Sequence, residues 1–176
     1  LITASDKYGI AQILDQWRFP FVAKSVRSSQ GMGVYLIENR QQLLDYAAQE
    51  SVLYVQKLLP IVRDLRIVVV GHNVVASYWR EGSGFLNNVS QGGRVRTDLP
   101  VPDSAVSLVE GLARYLDINH AGFDVAMVDG HPYILEFNRL FGNTGIPELN
   151  RNVQRAMHDY LLGATLPPSS DSKVSA

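Results

Sequence analysis

The 176-residue chain contains no cysteine, which excludes a disulfide framework, a thiolate nucleophile and any thiolate metal site, and is compatible with a reducing compartment. Its four histidines, at 72, 120, 131 and 158, have no metal-ligand spacing. Net charge is almost missing too: 16 Lys and Arg stand against 17 Asp and Glu, so no long-range field draws the chain to nucleic acid or an anionic membrane. A polyanion, if bound, must be met by local geometry. No apolar run approaches the ~20 residues that cross a bilayer, and the opening LITASDKYGI has no basic segment leading into an apolar one. Neither nucleic acid nor membrane is an expected partner, and the cytoplasm is the expected location.

What is present is a hydrophobic content of 46% with 19% charged residues, enough for one cored domain or two small lobes and too apolar for disorder. Residues 5–17 carry Ile10, Ile13, Leu14 and Trp17 at helical spacing, with Ser5 or Asp6 as a cap. PFVAKS and VYLIE read as strands around the glycine-bearing SSQGMG, and NRQQLLDYAAQE reads as a helix. SVLYVQKLLP is a strand stopped by Pro60; RDLRIVVVG and NVVASYWR form a hairpin turned at Gly71-His72-Asn73. From Gly82 to Pro102 periodicity fails, as in a functional loop. A helix capped by Asp103 or Ser104 follows, then a hairpin turned at Asp129-Gly130, a helix ending at Gly163, and a Pro- and Ser-rich tail expected to be disordered.

Three short patterns carry chemistry. In YILEFN, Glu136 and Asn138 are two apart on a strand and share a face, with Leu135 and Phe137 expected in packing. Asp124, across the hairpin, comes level with Glu136 if it lies on that face. Two carboxylates and an amide oxygen are a hard, all-oxygen set suited to Mg²⁺. Seen alone, though, such a pair is more often a surface residue and a turn former. In FVAKSVRSSQGMGV, a glycine loop between strands can lay backbone N–H groups over phosphate, with Lys24 neutralising charge. Alone it is a turn. In RDLRIVVVG, Asp64 and Arg66 share a face, and Arg80 on the neighbouring strand can join them; an exposed ion pair of little energetic weight is the plain alternative.

The order of these features resembles the ATP-grasp superfamily, and within it the glutamate-ligase branch typified by RimK, over about residues 20–145. The resemblance implies an α+β ATP-grasp fold of two lobes with antiparallel sheets and ATP between them: residues 1–57 as the small lobe, 58–165 as the large lobe, and 166–176 as tail. It implies that Lys24 contacts nucleotide phosphate under a flap containing Ser29, Gln30, Gly31 and Gly33. Gln56, Lys57 and Leu58 would form the adenine-reading linker, Asp64 would sit near the ribose, and Asn88 by the phosphates. Asp124, Glu136 and Asn138 would hold Mg²⁺, with Mn²⁺ as a substitute, and Arg66 and Arg80 would face the γ-phosphate or an acyl-phosphate made from it. The implied activity is ATP-dependent ligation of a carboxylate to an amine, with an amino acid, peptide or protein as acceptor and homo-oligomers allowed. The alternative is a catalytically impaired ATP-binding module that regulates or binds a partner.

The sequence departs from the family pattern at four places. Lys57 stands where the linker usually has Glu. Leu86, Ser90 and Gln91 replace Arg, His and Arg of the usual loop. Arg139-Leu140-Phe141-Gly142 replaces a small-residue turn before Pro-Gly. The family's N-terminal α/β domain, with a first nucleotide-binding lysine, is expected to be missing from this chain.

Overall fold

Asp6 opens the first helix by accepting hydrogen bonds from the backbone N–H groups of Tyr8 and Gly9, and Asn39 opens the second by accepting from Gln42 N. The computed structural model describes residues 1–26, 33–82, 94–141 and 146–163, and the chain separates into two units, Leu1–Pro60 and Ile61–Ala176.

The first unit contains β1 (Ile2–Ala4), α1 (Lys7–Gln16), β2 (Phe21–Lys24), β3 (Val34–Ile37), α2 (Arg40–Gln49) and β4 (Val52–Lys57). Its sheet is antiparallel with order β1-β4-β2-β3. Ile13 of α1 and Leu43, Tyr46 and Ala47 of α2 bury against Phe21, Ala23, Ile37, Leu53 and Val55 of the strands. Tyr46 is the polar tie in this core: its hydroxyl donates to Lys24 O at 2.7 Å and accepts from Tyr54 N at 3.1 Å.

The second unit contains β5 (Arg63–Val70), β6 (Asn73–Glu81), β7 (Arg94–Arg96), α3 (Asp103–Tyr115), β8 (His120–Val128), β9 (His131–Asn138) and α4 (Pro147–Leu161). Its antiparallel sheet has the order β7-β6-β5-β8-β9. Two tight turns close its hairpins with paired positive φ angles, Gly71 (60°) with His72 (68°) and Asp129 (52°) with Gly130 (78°), the backbone that two-residue hairpin turns require. Leu65, Ile67, Val69, Trp79, Phe123 and Val125 pack against Ala105, Val109 and Ala113 of α3 on one face. Val68, Val70, Ala76 and Tyr78 pack against Leu149, Val153 and Ala156 of α4 on the other.

Two short strands, β1 and β7, lie where the sequence has too little alternation to mark them. Neither Asp103 nor Ser104 caps α3. Pro102 takes the cap position without a side-chain hydrogen bond, and Asp103 falls in the first turn, where a carboxylate meets the positive end of the helix dipole.

Both hairpins of the second unit contain one extra residue. In β6 the register passes from Val69↔Val74 to Val68↔Ala76, skipping Val75. In β9 it passes from Val125↔Ile134 to Asp124↔Glu136, skipping Leu135. Each bulge resets which face later side chains occupy. Beyond it, Arg80 stands opposite Asp64, and Glu136 stands opposite Asp124.

Candidate active site

The sheet face under α4 is apolar only over part of its length. Further along the same strands it carries Asp64, Arg66, Arg80 and Asp124, which are only 3–8% exposed. Charges this deep must be paired, and these are paired across strands. Arg80 Nε donates to Asp64 Oδ1 at 2.9 Å and Arg80 Nη2 to Asp64 Oδ2 at 2.5 Å. The same Nη2 lies 3.0 Å from Asp124 Oδ2, and Arg66 Nη2 reaches that oxygen at 3.4 Å.

The fourth contact differs in kind. Arg66 Nε and Asp124 Oδ1 are 2.7 Å apart, yet their angle is not that of a hydrogen bond. Both atoms are buried without a hydrogen-bond partner among the described residues. Burial pushes the Asp124 carboxyl up from its ordinary value, against the pull of Arg80 and Arg66. Burial alone would lower Arg80, but Asp124 and Asp64 hold it above its ordinary value. The two directions describe one balance: Asp124 bears the desolvation, and the guanidinium gains from both carboxylates.

Asp124 is the Cα partner of Glu136, and Gly122 that of Asn138, so Glu136 and Asn138 continue this face onto the edge strand, where both are exposed. Asn138 Nδ2 donates to Glu136 Oε1 at 3.0 Å. Among the described residues no three His, Cys, Asp or Glu side chains gather as a metal-holding group. The set here is two carboxylates plus an amide oxygen, and its buried member offers an acceptor, Asp124 Oδ1, with no hydrogen bond. That chemistry fits a hard cation.

Two sequence expectations need correction. Asp64 and Arg66 share a face, but each pairs across the sheet, and neither is exposed. Phe137 does not enter packing fully; it is 43% exposed and tilts against Phe123 at 5.4 Å between ring centroids. The skipped Leu135 breaks the alternation on which that expectation rested.

In the first unit, Lys24 ends β2 with Nζ 5.9 Å from the Tyr54 ring centroid. Gly33 has φ 80° and its carbonyl accepts from Ser25 N at 2.7 Å. Gln56 and Lys57 end β4 opposite Val22 and Phe21, and half-buried Leu58 follows. Ser29, Gln30, Gly31, Asn88 and the substituted Leu86, Ser90 and Gln91 lie outside the described residues.

Sequence reasoning missed Gly122 and Phe141. A Cβ at Gly122 would come 2.9 Å from both Arg66 Nη1 and Phe141 Cγ, so the bare backbone there lets both side chains lie over β8. A glycine inside an apolar strand pattern was the available signal.

A family model described as the RimK-like ATP-grasp domain matches residues 2–161. A probable alpha-L-glutamate ligase of Enterobacter sp. (strain 638) is 32% identical over 136 residues, covering 72% of this chain and 45% of that protein. Among solved structures, a RimK-domain ATP-grasp protein of Sphaerobacter thermophilus superposes with TM-score 0.66 at 17% identity, covering 93% of this chain and 58% of that one. The ATP-grasp ligase PsnB, solved with a phosphomimetic precursor variant, Mg and ADP, superposes with TM-score 0.66 at 18% identity, covering 93% and 52%. The chain spans about half the length of the curated relatives it matches.

Proposed function

The chain belongs to the RimK-like ATP-grasp family, and from that premise we propose that it is the nucleotide- and metal-binding part of an ATP- and Mg²⁺-dependent carboxylate–amine ligase. The observation that carries the reading is the pairing of Asp124 with Glu136, next to Asn138, on the face that also holds the buried Arg66 and Arg80. Curated relatives described as glutamate ligases and a neighbour solved with Mg and ADP support it.

In this reading a substrate carboxylate oxygen attacks the γ-phosphorus of ATP, the bond to the β-phosphate bridging oxygen breaks, and ADP leaves. An amine then attacks the acyl carbon and expels phosphate, leaving an amide. Mg²⁺, held by Asp124, Glu136 and Asn138, supplies charge neutralisation to the phosphate oxygens. Arg66 and Arg80 are proposed to add fixed positive charge where negative charge develops, in a site with little water to reorganise. Lys24, Gly33 and the linker Gln56–Lys57–Leu58 are proposed nucleotide contacts, together with Asp64, Ser29, Gln30, Gly31 and Asn88.

The reading is tested by thermal melting with Mg²⁺ and ADP. The midpoint is expected to rise with ligand concentration, and by far less in Glu136→Ala. No rise at saturating nucleotide would falsify the nucleotide site, and an undiminished rise in Glu136→Ala would remove Glu136 from it.

A further inference from the structure

We infer that Phe141 is a positioning residue, clamping the Arg66 guanidinium onto Asp124 in the place of a divalent cation, so that metal alone binds weakly until a phosphate-bearing ligand draws Arg66 away. The inference rests on the reading of Asp124 and Glu136 as metal ligands.

The two arginines on this face are held differently. Arg80 is engaged by both oxygens of Asp64 and by Asp124, and it has no reason to move. Arg66 has only Asp124 as an ion-pair partner among the described residues, and its closest approach, Nε to Oδ1, lacks hydrogen-bond geometry. A buried acceptor left without a hydrogen bond is costly, so Asp124 Oδ1 gains when a better-directed cation replaces the guanidinium. With Arg66 in place, that cation would meet a like charge at short range.

What keeps Arg66 there is apolar. Its guanidinium carbon lies 5.9 Å from the centroid of the Phe141 ring, within reach of a cation–π contact whose strength grows with desolvation. The missing Cβ of Gly122 lets ring and guanidinium lie side by side over β8, and His120 backs the ring at 5.1 Å. A nucleotide phosphate competes for Arg66 through paired oxygens that match the guanidinium fork. Its arrival therefore both frees Asp124 and adds metal-binding oxygens. Phe141 lies in the Arg139–Gly142 turn, where the sequence departs from its relatives.

The test is Mn²⁺ alone, without nucleotide, titrated into the chain and followed by the EPR signal of free Mn²⁺. Phe141→Ala, which changes no charge, is expected to bind Mn²⁺ about tenfold more tightly than the parent chain. Phe141→Leu, which keeps apolar volume and guards against a folding defect, should move the same way, and Phe141→Tyr should restore weak binding. Arg63→Gln removes a positive charge from the same strand and should change nothing, which separates the clamp from general electrostatics. With saturating ADP the difference between parent and Phe141→Ala should shrink. Equal Mn²⁺ affinity in the parent chain and both apolar variants, with binding lost in Glu136→Ala, overturns the clamp and leaves the metal site standing. Binding unchanged in Glu136→Ala removes the site itself and the clamp with it.

Discussion

Strands β5 and β6 carry two chains of alternating charge, one on each side of a single residue step. Asp64, Arg80, Asp124 and Arg66 form the buried chain, 3–8% exposed. Arg63, Glu81, Arg96 and Asp98 form the other, with side chains 28% to 59% exposed. The contacts are of similar length: Arg96 grips Asp98 with bonds of 2.8 and 2.7 Å and lies 3.2 Å from Glu81, while Arg63 reaches Glu81 at 3.5 Å over the Trp79 ring. Geometry alone would rank the two alike. Solvent separates them, because water screens and competes for the outer chain, whereas each member of the inner chain depends on its partners to be there at all. The two end carboxylates show the same contrast, with Asp124 pushed up by burial and Asp98 pulled down to about 2 by its hydrogen bonds to Arg96.

The contrast breaks most decisively at Arg80. Arg80→Ala leaves Asp64 and Asp124 facing each other without a countercharge, and urea unfolding should show a loss of about 3–5 kcal/mol. A loss below that of an exposed pair would mean the inner chain is hydrated. Gly122→Ala should come next, at about 1–3 kcal/mol, because the added methyl overpacks Arg66 and Phe141 on a face with no slack. The outer chain should yield least: Arg96→Ala is expected to cost under about 1 kcal/mol, and less in high salt.

Asp98 sharpens the comparison by its pH dependence. Its folded value lies below its unfolded one, so the stability it lends is present above about pH 4 and is lost as pH falls toward its folded value of about 2. Asp98→Asn should therefore flatten the acid limb of a denaturation midpoint plotted against pH. An unchanged limb would show that the Arg96–Asp98 pair has no thermodynamic weight in solution.

The strand and helix succession was readable in the sequence because apolar periodicity, Asp6, Asn39, Pro60 and the glycine turns each act locally. The site was readable in its residue types but not in its partners. Counting back from Asp129-Gly130 with a strict period of two places Leu135, not Glu136, opposite Asp124; counting from Gly71-His72 places Trp79, not Arg80, opposite Asp64. The extra residues Val75 and Leu135 correct both counts. Nothing in their side chains announces a bulge, since both are ordinary apolar strand residues whose unpaired state depends on the neighbouring strand.

Those two skipped residues also set what kind of sequence change this unit tolerates. Val75 and Leu135 can exchange for other apolar residues with little effect on where Arg80 and Glu136 point. Deleting either one would turn the rest of its strand over, sending Arg80, or Glu136 with Asn138, into the apolar layer against α3 and bringing Trp79 or Phe137 to the charged face. Along these strands the number of residues is therefore held more tightly than their identity, and drift in length is confined to the tight turns and the segments beyond the strand ends.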